Sequence, residues 1–168
     1  GHTPYVHVAE DVLSKYGVKE FKHYVNSVVV AQQVERKGKG LNLTYETLEG
    51  MLHHSRGSGE LTVDNELPQE YSAVMFSDKI AYTYSDLNDA IRYGHLKESR
   101  VPECAFRLGN TQRERTNNTI NALVEESLQK GYVQFSEGPV FKAFDGLKKF
   151  MYAEVYGKIE HSMQELTL

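Results

Sequence analysis

Residues 75–94, MFSDKIAYTYSDLNDAIRYG, constrain the fold more than any other stretch. Their apolar residues recur with a helical period, not an alternating one. Ile80, Tyr84, Leu87 and Ile91, with Ala81, gather on one side of a helix. Asp78, Tyr82, Asp86 and Asp89 run down another side at spacings of four, four and three. A chain with such a helix must supply other elements to cover its apolar side. Acids in a helix stripe ordinarily form a solvated face. They hold a metal or a polar substrate only where further groups converge on them.

The remaining sequence supplies those elements as helices. Thr3 followed by Pro4 reads as an N-cap and first helical position, opening a helix that Gly17 stops. A second helix is predicted over 19–36 from Phe21, Tyr24, Val25, Val28, Val29 and Val34. A third is predicted over 44–54, capped by Thr44, with Leu48, Met51 and Leu52 inward. Residues 55–68 form a glycine-rich polar segment without apolar period, the signature of a functional or mobile loop. Pro68 then introduces the long helix, predicted over 69–94. A short helix near 102–108, one over 111–130 with Ile120, Leu123, Val124 and Leu128 apolar, and one over 140–158 complete the chain. The last carries Phe141, Phe144, Leu147, Phe150, Met151 and Val155 as its core stripe. Residues 132–139 read as extended or loop, with room for a short strand. Strands do not alternate with helices, so a parallel sheet is excluded and the class is all-α, with seven packed helices.

Composition narrows the function classes. The net charge of −4 argues against a general nucleic-acid binder. The single cysteine, Cys104, permits no internal disulfide and suits a reducing cytoplasm. No apolar run approaches the roughly 20 residues that span a bilayer. Arg113 and Arg115 read as part of a solvated face, with phosphate binding as the alternative.

Several segments, in order, resemble one family. GHTPYVHVAE is similar to its GHTPFGHxGE segment, EFKHYVNSVVVA to its FxHNxQSxRVV helix, and MLHHSRGSGEL to the loop after its third helix. SDKIAYTYSDLNDAIRYGHL is similar to ADxIAYxxHDxDDAIRxGxL, and RLGNTQRERTNNTINALVEESL and KFMYAEVYGKI to the associated C-terminal helices, the latter through an FxxxxVY pattern. The family is that of the deoxynucleoside triphosphate triphosphohydrolases, dGTPase-like members of the HD-domain phosphohydrolases. The resemblance implies a multi-helix HD-domain-like bundle over 1–108 and C-terminal associated helices over 109–168. It implies metal-dependent hydrolysis of a deoxynucleoside triphosphate to deoxynucleoside and inorganic triphosphate, and assembly as a homo-oligomer.

Carried over position by position, the resemblance makes Asp78 a ligand of a divalent metal (Mg, Mn or Fe). The family's other protein ligands, an upstream histidine and a His-Asp pair, match nothing in this sequence. A single carboxylate leaves an ion mostly hydrated. The expectation is therefore a piece of a longer enzyme, inactive alone and with its metal position unfilled. A metal-free nucleotide-binding subunit and a phosphohydrolase for another nucleotide are the alternatives. His2 and His7 match histidines near the triphosphate, with His7 the acid for the leaving 5′ oxygen and Glu10 orienting it. His23 matches a third active-site histidine. Lys79 matches a phosphate-contacting lysine. Tyr82 and Asp86 match residues at the deoxyribose, the aspartate accepting from the 3′ hydroxyl and the tyrosine ring excluding a 2′ hydroxyl. The chain departs from the pattern at Tyr24, where the family has asparagine, and at Ser85, where it has histidine.

Overall fold

The computed structural model describes residues 15–16, 21–54, 61, 63 and 66–158. The chain divides into two compact units, Gly1–Ser55 and Arg56–Leu168. The predicted first helix lies, apart from its last two residues, outside the described residues, as does most of the polar segment over 55–68.

In the first unit, α1 (His23–Val29) follows an extended Lys22 and continues into a widened π turn, Val30–Val34. The predicted helix over 19–36 thus begins later than expected, because Phe21 and Lys22 are not helical and no side chain caps the first turn. It also ends earlier. A short helical turn, Glu35–Gly38, follows with Arg36 and Lys37 in left-handed conformations. Val25, Val29 and Val34, expected inside, are exposed, and Ala31 is the buried side chain of this stretch. The third predicted helix forms as α2 (Tyr45–His53), with Thr44 Oγ1 accepting from the Thr47 amide. It packs against α1.

The second unit is organised on α3 (Gln69–Arg92), which starts after Pro68 as predicted. Its inward residues run in pairs along one side: Tyr71 and Ser72, Met75 and Phe76, Lys79 and Ile80, Thr83 and Tyr84, then Leu87 and Ala90. Each pair lies one turn from the next, the period of a single buried helix face. Gly94 and the buried Leu96 close the C-terminal end, where the Leu96 amide donates to the Ala90 carbonyl at 2.9 Å. A 3₁₀ turn, Glu98–Arg100, leads to α4 (Glu103–Leu108).

Two further helices cover α3. Helix α5 (Gln112–Lys130) opens on a capping box formed by Thr111 and Glu114 and stops at Gly131, as the sequence predicts. Gly109 fits the tight entry to this box. Its φ is 150°, and a Cβ there would lie 2.6 Å from the Glu114 Cβ. Of the apolar residues of α5, Leu123 packs against the core and the other three do not. Ile120, Val124 and Leu128 are exposed, while Arg115 and Thr119 are buried. Polar anchors set this face. Arg115 donates to the carbonyls of Ala105, Gly109 and Asn110, and Thr119 shares a short hydrogen bond with the buried Tyr84 hydroxyl. The Glu126 carboxylate accepts from the amides of Ser136 and Glu137. That last contact straps residues 131–137, which hold no strand, and seats Phe135 fully in the core. Phe135 meets Phe76, Phe141 and Phe144 with ring centroids 6.2, 5.2 and 6.0 Å away.

Helix α6 (Gly138–Met151) presents Phe144, Leu147, Met151 and, beyond it, Val155 to this core, as its period predicts. It then widens into a second π turn, Tyr152–Tyr156. No helix among the described residues is long and apolar enough to cross a membrane.

Candidate functional site

The acidic stripe of α3 is only partly a solvated face. Asp89 is exposed, whereas Asp78, Tyr82 and Asp86 are half-buried. The last two engage the C-terminal end of α6 and its π turn. The Tyr156 hydroxyl donates to Asp86 Oδ2 at 2.6 Å. The Tyr82 and Tyr152 hydroxyls are 3.1 Å apart. The Tyr152 and Tyr156 rings stand edge to face with centroids 5.1 Å apart. Burial, then the neighbouring hydroxyl or carboxylate, pushes the phenols of Tyr82 and Tyr156 well above the ordinary tyrosine range. Both therefore stay protonated and serve as neutral hydroxyls.

One turn N-terminal to this corner, two lysines approach from facing helices. Lys79 is 3% exposed, and its ammonium lies 5.0 Å from the centre of the Tyr82 ring. Burial chiefly lowers its pKa. The Asp78 carboxylate opposes that shift, and the Lys148 ammonium adds to it. Lys148 is itself 3% exposed, with its ammonium 3.6 Å from Asp145 Oδ1. Asp145 is shared, since Lys149 approaches its other oxygen at 2.6 Å. For Lys79, burial and the like charge of Lys148 both work against the ammonium form, and the Asp78 carboxylate works for it.

The two helices thus carry matched ladders at a spacing of four: Asp78, Tyr82 and Asp86 on α3, and Lys148, Tyr152 and Tyr156 on α6 and its π turn. The apolar stripe of 140–158 does not register the second ladder. Its signal was present in the i, i+4, i+8 spacing. The family's histidine position, Ser85, is occupied structurally: Gln112 Nε2 donates to its hydroxyl at 3.3 Å. Arg115 serves neither expectation stated for it, being buried on backbone carbonyls.

In the first unit, His23 is half-buried on α1. Its ring stands edge to face with those of Tyr24 and His54, each centroid 5.6 Å away. His54 Nδ1 is 2.6 Å from the Met51 carbonyl, so that nitrogen carries the proton and donates. His2, His7 and Glu10 lie outside the described residues. Among the described residues, no group of three or more histidine, cysteine, aspartate or glutamate side chains is arranged to hold a metal ion. Asp78 alone does not make a divalent-metal site.

No family model matches the chain, and no solved structure matches it. Curated proteins do. It is 35% identical over 93% of its length to a deoxyguanosinetriphosphate triphosphohydrolase-like protein of Clostridium tetani. Proteins with the same description from Clostridium perfringens (strain SM101) and Caldanaerobacter subterraneus are 38% and 35% identical over the same share. The chain covers 46%, 46% and 44% of these three relatives, so it spans about half the length of the curated proteins it matches. Over that half, the chain is similar to deoxyguanosinetriphosphate triphosphohydrolase-like proteins.

Proposed function

We propose that this sequence works within a hydrolase that splits a deoxynucleoside triphosphate into deoxynucleoside and inorganic triphosphate. The observation that carries the reading is the pairing of the two ladders. Buried Lys79 and Lys148 sit beside a corner made by Tyr82, Asp86 and Tyr156. A polyphosphate requires cations in a water-poor setting, and a sugar requires an oriented carboxylate beside a flat ring. The two sets of groups lie one helical turn apart, which supports the reading. Tyr156 holds the Asp86 carboxylate, which accepts from the 3′ hydroxyl. The Tyr82 ring occupies the space a 2′ hydroxyl would need.

His2, His7, Glu10 and His23 keep the roles that the family resemblance gives them, with His7 protonating the leaving 5′ oxygen and Glu10 orienting it. Asp78 is the one divalent-metal ligand proposed from this sequence. The reaction is balanced by water: its oxygen bonds to the α-phosphorus, the bond to the 5′ oxygen breaks, and a proton passes to that oxygen. We place the protein in the cytoplasm, which a cysteine-poor composition suits, and as a homo-oligomer, as the family resemblance implies.

The test is product analysis. The full-length protein is incubated with each deoxynucleoside triphosphate and Mg²⁺ or Mn²⁺, and the phosphorus products are separated. Inorganic triphosphate supports the reading. Monophosphate or orthophosphate assigns a different phosphohydrolase, and binding without turnover assigns a nucleotide-binding subunit.

A further inference from the structure

We propose that Tyr152 is a positioning residue for sugar discrimination, acting through Tyr82; the proposal rests on the reading of the site given above. Tyr152 stands where both sugar-facing groups are held. Its hydroxyl lies 3.1 Å from that of Tyr82. Its ring packs edge-on against Tyr156 at 5.1 Å and 72°. Tyr156 in turn holds Asp86 at 2.6 Å. A phenol otherwise swings about two side-chain bonds, and a ring that swings is a poor steric gate. The Tyr152 hydroxyl tethers the far end of the Tyr82 ring, so the ring keeps one position, with the Lys79 ammonium over its face. Tyr152 also opens the π turn that Tyr156 closes. One irregular turn therefore sets both tyrosines, and such turns frequently mark functional sites.

The tether fixes geometry and makes no substrate contact, so its loss shows as lost discrimination, not as lost phosphate binding. In the full-length protein, Tyr152→Phe is expected to lower the ratio of kcat/KM for a deoxynucleoside triphosphate over the matching ribonucleoside triphosphate. The fall is roughly three- to tenfold, the size of one neutral hydrogen bond. Inhibition by inorganic triphosphate, which has no sugar, stays unchanged. Tyr82→Phe removes the same hydrogen bond from the other side and is expected to give the same fall. The double variant falls no further than either single variant. An active wild type whose ratio is unmoved by either substitution overturns the proposal. So does a change in the ratio accompanied by an equal change in triphosphate inhibition, which marks a general loss of structure. A wild type that releases no triphosphate from any nucleotide overturns the underlying reading, and this proposal with it.

Discussion

Replacing Arg115 by methionine separates a structural cation from a ligand-binding one. The guanidinium is buried, with Nε donating to the Gly109 carbonyl at 2.9 Å and the Ala105 carbonyl at 3.2 Å, and Nη2 to Asn110 at 3.3 Å. These carbonyls belong to the last turn of α4 and the turn beyond it, where a positive charge also favours the helix dipole. Methionine keeps the apolar stem but leaves the acceptors without their donor. Hydrogen bonds to a charged group are worth about 1.5–3 kcal/mol each, and two of the three are well placed. Partial hydration of the freed carbonyls keeps the sum toward its lower end, so Arg115→Met should cost about 3 kcal/mol. Against a domain stability of about 5–15 kcal/mol, that is a large loss. Urea unfolding of the 168-residue chain, followed by far-UV circular dichroism, reads it directly, and the thermal midpoint should fall by roughly 10 °C. Arg115→Lys restores the charge without the planar fork and should recover less than half of the loss. A loss below about 1 kcal/mol, or weakened triphosphate binding at unchanged stability, would refute the structural assignment.

Three further outcomes follow from the second unit. Thr119→Val strands the buried Tyr84 hydroxyl and should cost about 1–3 kcal/mol, much of which Tyr84→Phe in the same chain recovers; urea midpoints of the single and double variants check this. The Glu114 carboxyl sits below its ordinary value of 4.5 because it accepts from the amides of Asn110 and Thr111. Its contribution to stability is therefore present above that ordinary value and lost as pH falls through the lowered one, so Glu114→Gln should flatten this part of the acid limb of a stability–pH curve. Lys148→Met removes one of the two buried cations and should weaken inorganic triphosphate as an inhibitor of the full-length protein by about tenfold or more, measured as the inhibition constant.

Much of the second unit was legible because its signals are local. Pro68 opens α3, the Thr111 and Glu114 box opens α5, Gly131 stops it, and the aromatic period of α6 points where it says. The inward face of α5 was not legible. Ile120, Val124 and Leu128 make a plausible core stripe, yet Arg115, Thr119 and Glu126 face inward because each meets a backbone or hydroxyl group on another element. Hydrophobic period cannot register such partners, which are distant in sequence. Phe135 was hidden for the same reason, since a side chain strapped by Glu126 carries no period of its own. In the candidate site, the α3 ladder was readable from spacing. The engagement of Tyr82 and Asp86 by Tyr152 and Tyr156 was not, because it joins residues 70 apart. The burial of Lys79 follows from its place among the inward pairs of α3, where a lysine alone reads as solvated.

The proposed reaction releases triphosphate intact. Phosphorus-31 spectroscopy of the full-length protein turning over a deoxynucleoside triphosphate tests it most directly. One inorganic product is expected, with the terminal and middle resonances of triphosphate, appearing in step with free deoxynucleoside. Orthophosphate or pyrophosphate appearing first, with a deoxynucleotide left behind, would contradict it.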